Sequence, residues 1–380
     1  MKIILTVNAA WNALNFRRPV IEALLAQGAR VTVLAPVDDS VSALRSVGCE
    51  VIDLQMDVQG LSPWQDARLV KSFQDHFARI QPDVVLGYTV KNNIFGAVAA
   101  GRLAIPFLPN VSGLGTAFLS GGGLQLIVET LYKWAFRRLP IVFFQNQDDC
   151  ALFQARGLTT SAQARILPGS GIDLRAFQAT PFAQNDTATF LMVSRLLRDK
   201  GVMEYVEAAR RLRARRTDVR FQILGPVDAA NRSALGADDV ARWQSEGIIE
   251  HLGSAKDVRP YIAQADCVVL PSYREGAPRT LLEAAAMARP VIATDVPGCR
   301  HVVDHGRSGL LCAPRDASAL TATMAQYLDL PQPQRAAMGV AGRRKMEQEY
   351  DEKLVVAAYL SAISDLTGGP SRPAAKALRA

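Results

Sequence analysis

Two short segments hold residue types whose spacing could do chemistry. The first is Ser194-Arg195-Leu196-Leu197-Arg198-Asp199-Lys200-Gly201, and the second is Glu275-Gly276-Ala277-Pro278-Arg279-Thr280-Leu281-Leu282-Glu283. Arg195 and Lys200 are cations of different geometry, a planar fork that matches phosphate oxygens and a movable point charge. Pro278 has no amide hydrogen and suits a first helical turn, so a helix should start near Pro278–Thr280. The free amides and dipole at such a start attract anions. Glu275 lies just before this helix and Glu283 within it, at most about 12 Å apart along the axis. Two acceptor-only carboxylates at that separation can grip hydroxyls at both ends of one ligand. Hydrolase carboxyl pairs are closer, roughly 5 to 9.5 Å. A sugar joined to a nucleoside diphosphate fits such a set. Its diphosphate gains negative charge as the glycosidic bond breaks, and fixed cations and amides aimed there would supply the main rate term. Singly, each group has a plainer reading: Glu283 as a solvated helix face, Arg195 and Lys200 as surface charge. The combination is what carries the signal.

Positioning these loops falls to apolar strands alternating with amphipathic helices. Strands are expected at Lys2–Val7, Arg30–Ala35, Glu50–Leu54, Asp83–Tyr88, Phe107–Val111 and Ile141–Gln145, then at Thr187–Val193, Arg220–Leu224, Ile248–Leu252, Cys267–Pro271 and Val291–Thr294. Strands this apolar must be covered on both faces, which implies parallel sheets wrapped by helices. The helical stretches include Pro19–Ala26, Pro63–Ile80, Ser318–Leu328, Pro333–Gln348 and Glu352–Asp365. The Pro-containing polar run Phe177–Asp186 breaks the rhythm and is expected to be the linker. The predicted organisation is a Rossmann-like domain over 1–178, a second over 187–349, a helix at 350–366 packing back on the first, and a disordered tail at 367–380. Both chemical segments follow strands of the second half, so both should reach the cleft outside the carboxyl edges of two such sheets.

Composition narrows the choice. The chain has 380 residues, 49% hydrophobic and 21% charged, which suits two ordinary globular cores. No apolar run is long enough to span a membrane. The short run Ile3–Val7, followed at once by Asn8, reads as a buried strand and not as a signal peptide. Five scattered cysteines without paired spacing favour a reducing cytosol and argue against zinc. The net charge of +7 points to an anionic partner. Nucleic acid is not expected, because aromatic RNA-binding signatures and dense basic blocks are missing.

The same segments resemble the GT-B-fold retaining glycosyltransferases of family 4, and among these the bacterial polysaccharide and lipid-linked oligosaccharide enzymes of the PglA-like group. Glu275 and Glu283 match the family's pair of glutamates with seven residues between them, and Arg195 with Lys200 its diphosphate-binding pair. The run Pro271–Leu311 resembles the family along its length, as do Asn110–Phe118 and Gly169–Phe177 in the first half. The resemblance implies two Rossmann-like doubly wound domains facing a central cleft and a UDP-sugar donor as co-substrate. It implies no cofactor or metal, and retained anomeric configuration. Glu275 would contact the donor sugar and Glu283 the ribose. Arg195 and Lys200 would hold the diphosphate, helped by the backbone N–H groups of Arg279 and Thr280, and Gly276 and Leu281 would complete the donor-binding set. The departing phosphate would assist the acceptor hydroxyl from the same face. One departure is plain: the stretch Asn110–Phe118 contains no histidine, and His301 stands where the wider family often has glutamate. No catalytic histidine is assigned.

Weaker signals concern the acceptor side. The loop expected at Asn8–Arg18 would face the cleft with Asn12, Asn15 and Arg17, and Gly113 could let backbone approach a ligand, although such glycines are often purely conformational. The stretch Leu124–Leu139 mixes Tyr132, Trp134 and Phe136 with Lys133, Arg137 and Arg138. It reads either as a core helix with a basic side or as a contact with an anionic membrane surface. The predicted function is transfer of a hexose or N-acetylhexosamine from a UDP-sugar to an undecaprenyl diphosphate-linked saccharide. The expected location is the cytoplasm, peripheral on the cytoplasmic face of the inner membrane. A nucleotide-sugar epimerase of the same fold and a non-catalytic sugar-nucleotide-binding protein are the alternatives. A dinucleotide oxidoreductase is disfavoured, because no glycine fingerprint follows the first strand.

Overall fold

A computed structural model describes residues 1–58, 60, 62–114, 122–182, 187–227 and 233–368. Within the first unit, Met1–Ser170 with Glu352 onward, the apolar runs become β1 (Lys2–Thr6), β2 (Arg30–Ala35), β3 (Glu50–Asp53), β4 (Val84–Tyr88), β5 (Phe107–Val111), β6 (Val142–Phe144) and β7 (Ala164–Ile166). They form one sheet in the order β3-β2-β1-β4-β5-β6-β7, and each neighbouring pair is parallel. Successive side chains point to opposite faces. Ile3 and Leu5 therefore join the core under the helices Ala10–Ala26 and Glu352–Thr367, while Ile4 joins the one under Pro63–Ile80 and Val90–Arg102.

The second unit, Gly171–Asp351, repeats the plan with β8 (Ala188–Val193), β9 (Val219–Leu224), β10 (Glu250–His251), β11 (Cys267–Leu270), β12 (Val291–Thr294) and β13 (Gly309–Cys312). Their order is β10-β9-β8-β11-β12-β13, again parallel throughout. In both sheets the strand order reverses once, between β1 and β4 and between β8 and β11. Helices after the strands on either side of such a point cover opposite faces, leaving a crevice outside the carboxyl ends where ligands of α/β proteins bind.

The structure departs from the sequence expectations in four places. The stretch Asn8–Arg18 is not a loop. From Ala10 on it belongs to one helix, Ala10–Ala26, with Pro19 inside it. Buried Ala10, Ala13, Arg17, Val20, Ile21 and Leu24 recur every three or four residues, and this face offsets the roughly 3 kcal/mol that an interior proline costs. The edge strands β7 and β13 were not foreseen, being short. Moreover, β13 opens on Gly309, which resembles a turn residue. A Cβ there would lie 2.3 Å from the Val291 carbonyl, so only glycine lets β13 pair with β12. Finally, the chain enters the second unit at Gly171, ahead of the polar run Phe177–Asp186. The described part of that run is held on the second unit: Arg343 donates to the Phe177 carbonyl at 2.7 Å, and Arg289 to those of Thr180 at 3.0 Å and Pro181 at 2.7 Å. Residues 183–186, the signature positions 115–118 and the tail from 369 lie outside the described residues.

Candidate functional site

The two chemical segments leave adjacent strands at the reversal point of the second sheet, since β8 and β11 pair directly through Phe190 with Cys267 and Leu191 with Val268. After β8 the chain makes a short turn at Arg198–Lys200 and enters the helix Val202–Arg213 through Gly201, whose φ is +74°. A Cβ on Gly201 would stand 2.1 Å from the Pro271 carbonyl. Glycine here thus brings the Lys200 turn against the end of β11. The Tyr273 amide donates to the Asp199 carbonyl at 2.9 Å and ties the two loops together.

Lys200 and Glu275 meet at this junction. Nζ donates to Oε1 at 2.5 Å, with the lysine side chain 25% and the glutamate 12% exposed. In this half-desolvated setting a charge-assisted bond is stronger than the same pair in bulk water. The ammonium has three N–H groups, so donors remain for a ligand. The Glu275 amide reaches the Pro297 carbonyl at 3.3 Å. Gly298, with φ +84°, packs so close that a Cβ would be 2.6 Å from the carbonyls of both Glu275 and Gly276. Gly298 is a positioning residue that motif reading missed; the glycine after Pro297 was its only trace.

The helix Arg279–Ala286 follows, with Pro278 as its N-cap. Its first amides point to the carboxyl edge of the sheet, as the sequence implied. Thr280 does more than lend an amide: its hydroxyl donates to the Val193 carbonyl at 3.0 Å, securing the helix start to the last residue of β8. Leu281 packs in the core beneath. Glu283 is 8% exposed and accepts from Arg279 Nε at 2.8 Å. Burial pushes its carboxyl above the ordinary range, and the Arg279 charge pulls it partly back. The Arg195 side chain is exposed on the loop after β8. A Cβ on Gly225 would fall 1.8 Å from the Ser194 carbonyl, so the end of β9 supports this loop from behind. Arg195, Lys200, Glu275, Gly276, Arg279, Thr280, Leu281 and Glu283 thus all lie at or beneath one crevice of one unit.

Comparison with known proteins supplies the chemistry. The profile described as "Glycosyl transferases group 1" matches residues 187–329, and that described as "Glycosyl transferase 4-like" matches residues 2–146. The chain belongs to the family 4 glycosyltransferases. An N,N'-diacetylbacillosaminyl-diphospho-undecaprenol alpha-1,3-N-acetylgalactosaminyltransferase from Campylobacter jejuni is 25% identical over 378 residues, 95% of this chain and 97% of that protein. Among solved structures, sucrose-phosphate synthase from Thermosynechococcus elongatus superposes with a TM-score of 0.77 at 19% identity, covering 97% of this chain and 99% of the other. The Anabaena HepE protein in complex with UDP and glucose gives 0.76 at 18% identity, covering 96% and 100%. These likenesses establish the GT-B fold. Family membership favours glycosyl transfer over the epimerase and the non-catalytic binder.

The acceptor-side candidates fare differently within the first unit. Asn15 donates to the Trp11 carbonyl at 2.9 Å and Asn12 to Asn8 at 3.3 Å, both local bonds of the helix start. Arg17 is not a surface residue but is 4% exposed. Gly113 follows β5 with φ +151° and open space where a Cβ would sit. Two of the histidines bond backbone groups: His251 the Gly225 carbonyl at 2.9 Å and His305 the Leu311 amide at 2.9 Å.

Proposed function

We propose that this glycosyltransferase moves a hexose or N-acetylhexosamine from a UDP-sugar to an undecaprenyl diphosphate-linked saccharide, with retention and without a metal ion or cofactor. The observation that carries the reading is the Lys200–Glu275 pair at the β8/β11 crevice, beside the start of the helix Arg279–Ala286. The near full-length Campylobacter relative, by its name, acts on a diphospho-undecaprenol saccharide, and HepE binds UDP and glucose. In this reading Lys200, Arg195 and the amides of Arg279 and Thr280 hold the diphosphate; the Leu281 amide, which donates to the Pro278 carbonyl at 3.0 Å, does not. Glu275 accepts from hydroxyls of the donor sugar and Glu283 from the ribose. The bond from the anomeric carbon to the phosphate oxygen breaks, and the acceptor hydroxyl bonds to that carbon on the same face. Its proton passes to the departing phosphate oxygen, and UDP leaves. Cations and amides neutralise the charge that a metal would otherwise carry.

UDP release from a panel of UDP-sugars, with and without a polyprenyl diphosphate saccharide, tests the reading. Turnover should need the acceptor, survive EDTA, and give a product whose anomeric coupling in NMR matches the donor. Loss of turnover with EDTA, or an inverted product, rejects the corresponding half of the mechanism.

The acceptor's lipid also argues for work at the cytoplasmic face of the inner membrane. No described helix is long and apolar enough to cross a membrane. The helix Gly122–Phe136 instead buries Val128, Tyr132 and Phe136 and leaves Leu126 66%, Ile127 59% and Trp134 48% exposed. Exposed Lys133, Arg137 and Arg138 border them, a composition suited to resting on anionic headgroups. Flotation with phosphatidylglycerol vesicles should be lost when the three cations become glutamine, and should weaken with salt. Equal flotation with neutral phosphatidylcholine vesicles would count against it.

A further inference from the structure

The reversal point of the first sheet holds a charge that nothing in the proposed donor site uses. Arg17 sits on the helix that follows β1, and its guanidinium carbon lies 4.2 Å from the centroid of the ring of Tyr88, the last residue of β4. Its Nε and Nη1 are buried and have no hydrogen-bond partner, and no carboxylate among the described residues pairs with it. The second unit treats a fully buried guanidinium differently, leaving only its Nε without a partner. In the second unit Arg289, 1% exposed, directs its terminal nitrogens to the carbonyls of Thr180, Pro181 and Ala263 at 3.0, 2.7 and 2.7 Å.

An uncompensated buried ion costs more than a desolvated contact with an aromatic face returns. The neighbouring Tyr88, Tyr359 and Asn110 are neutral and do not close that gap. Tyr359, on the helix Glu352–Thr367, packs with its ring centroid 6.1 Å from that of Tyr88 and accepts from Asn110 Nδ2 at 2.8 Å. The chain leaves β4 through Thr89 at φ 70° and ψ 158°, a strained conformation for a non-glycine residue that tends to occur at ligand sites. A desolvated cation, neutral hydrogen-bonding neighbours and a strained turn therefore coincide at the carboxyl edge between β1 and β4.

We infer that Arg17 is the anion-binding group of a second phosphate subsite, in the first unit at the β1/β4 crevice. The planar fork takes two oxygens of a phosphate group, and the bound anion supplies the compensation the fold withholds. The inference rests on the proposed reaction only for the source of that phosphate, which is either the diphosphate of a lipid-linked acceptor or that of the nucleotide donor.

Calorimetric titration of the full chain with farnesyl diphosphate and, separately, with UDP tests this, using Arg17→Met and the charge-keeping Arg17→Lys. Arg17→Met should raise one of the two dissociation constants at least about tenfold, the effect of losing a charged hydrogen bond, and Arg17→Lys should raise the same one less. A change confined to farnesyl diphosphate assigns the subsite to a lipid diphosphate; a change confined to UDP assigns it to the donor. Unchanged constants for both ligands overturn it. If Arg17→Met fails to fold, crystals of the wild-type chain grown with each ligand decide the matter: a phosphate within hydrogen-bond reach of Arg17 is expected, and its absence from both overturns the inference. Wild-type UDP binding and the loss of turnover in Glu275→Gln report on the donor site separately, so this subsite can fail while the proposed reaction stands.

Discussion

The β8/β11 crevice of the second unit and the β1/β4 crevice of the first arise from the same strand reversal, yet they handle charge in opposite ways. In the second, both motif glutamates have a basic neighbour: Lys200 with Glu275 at 2.5 Å, Arg279 with Glu283 at 2.8 Å. In the first, Arg17 stands over Tyr88 among neutral groups. The difference teaches that topology provides only the place. A paired crevice can hold both the anionic and the hydroxylic parts of one ligand at low cost to the empty protein. An unpaired cation keeps stability in reserve for an incoming anion.

The largest expected effect comes from breaking the paired crevice. Lys200→Ala or Glu275→Gln should lower turnover about 100- to 1,000-fold with folding intact, measured as UDP release. Near-normal rates in both would remove the donor site from this crevice. Gly298→Ala touches no ligand yet should cost about 100-fold, because its Cβ would collide with the carbonyls of Glu275 and Gly276 at 2.6 Å. A full-rate variant would show that the 275–276 loop tolerates displacement.

Thermal melting sharpens the contrast between the crevices. Lys200→Met leaves Glu275 half-buried without its partner and should destabilise by about 1–3 kcal/mol. Arg17→Met removes an uncompensated cation and should leave the melting temperature unchanged or higher. If Arg17→Met melted lower than Lys200→Met, the two crevices would not differ as described. The smallest effect concerns pH. The folded state holds the Glu283 proton more tightly than an unfolded chain does, since burial raises this carboxyl above its ordinary value of 4.5. The stabilisation is complete below that value and is lost as pH rises through the raised one. Glu283→Gln should therefore melt with a flatter profile than the wild type as pH rises above 4.5. Parallel profiles would mean that Arg279 cancels the effect of burial.

Much of this protein was legible in its residues. Apolar runs such as Phe107–Val111 and Val291–Thr294 reappear as strands with the same bounds, because a strand buried on both faces has little choice but to be apolar along its length. Arg195, Lys200, Glu275 and Glu283 were identifiable because each follows such a run closely, and position after a strand is a local property. What the residues could not disclose depends on distant partners. Helix Ala10–Ala26 runs through Pro19 because its buried face is completed by other elements of the first unit. The polar run after Phe177 is held by Arg289 and Arg343, both more than 100 positions away along the chain. The burial of Arg17, its ring contact with Tyr88 and the absence of a counter-charge came only with the tertiary structure. Desolvation and pairing are set by what surrounds a side chain in space, and its sequence neighbours do not report that.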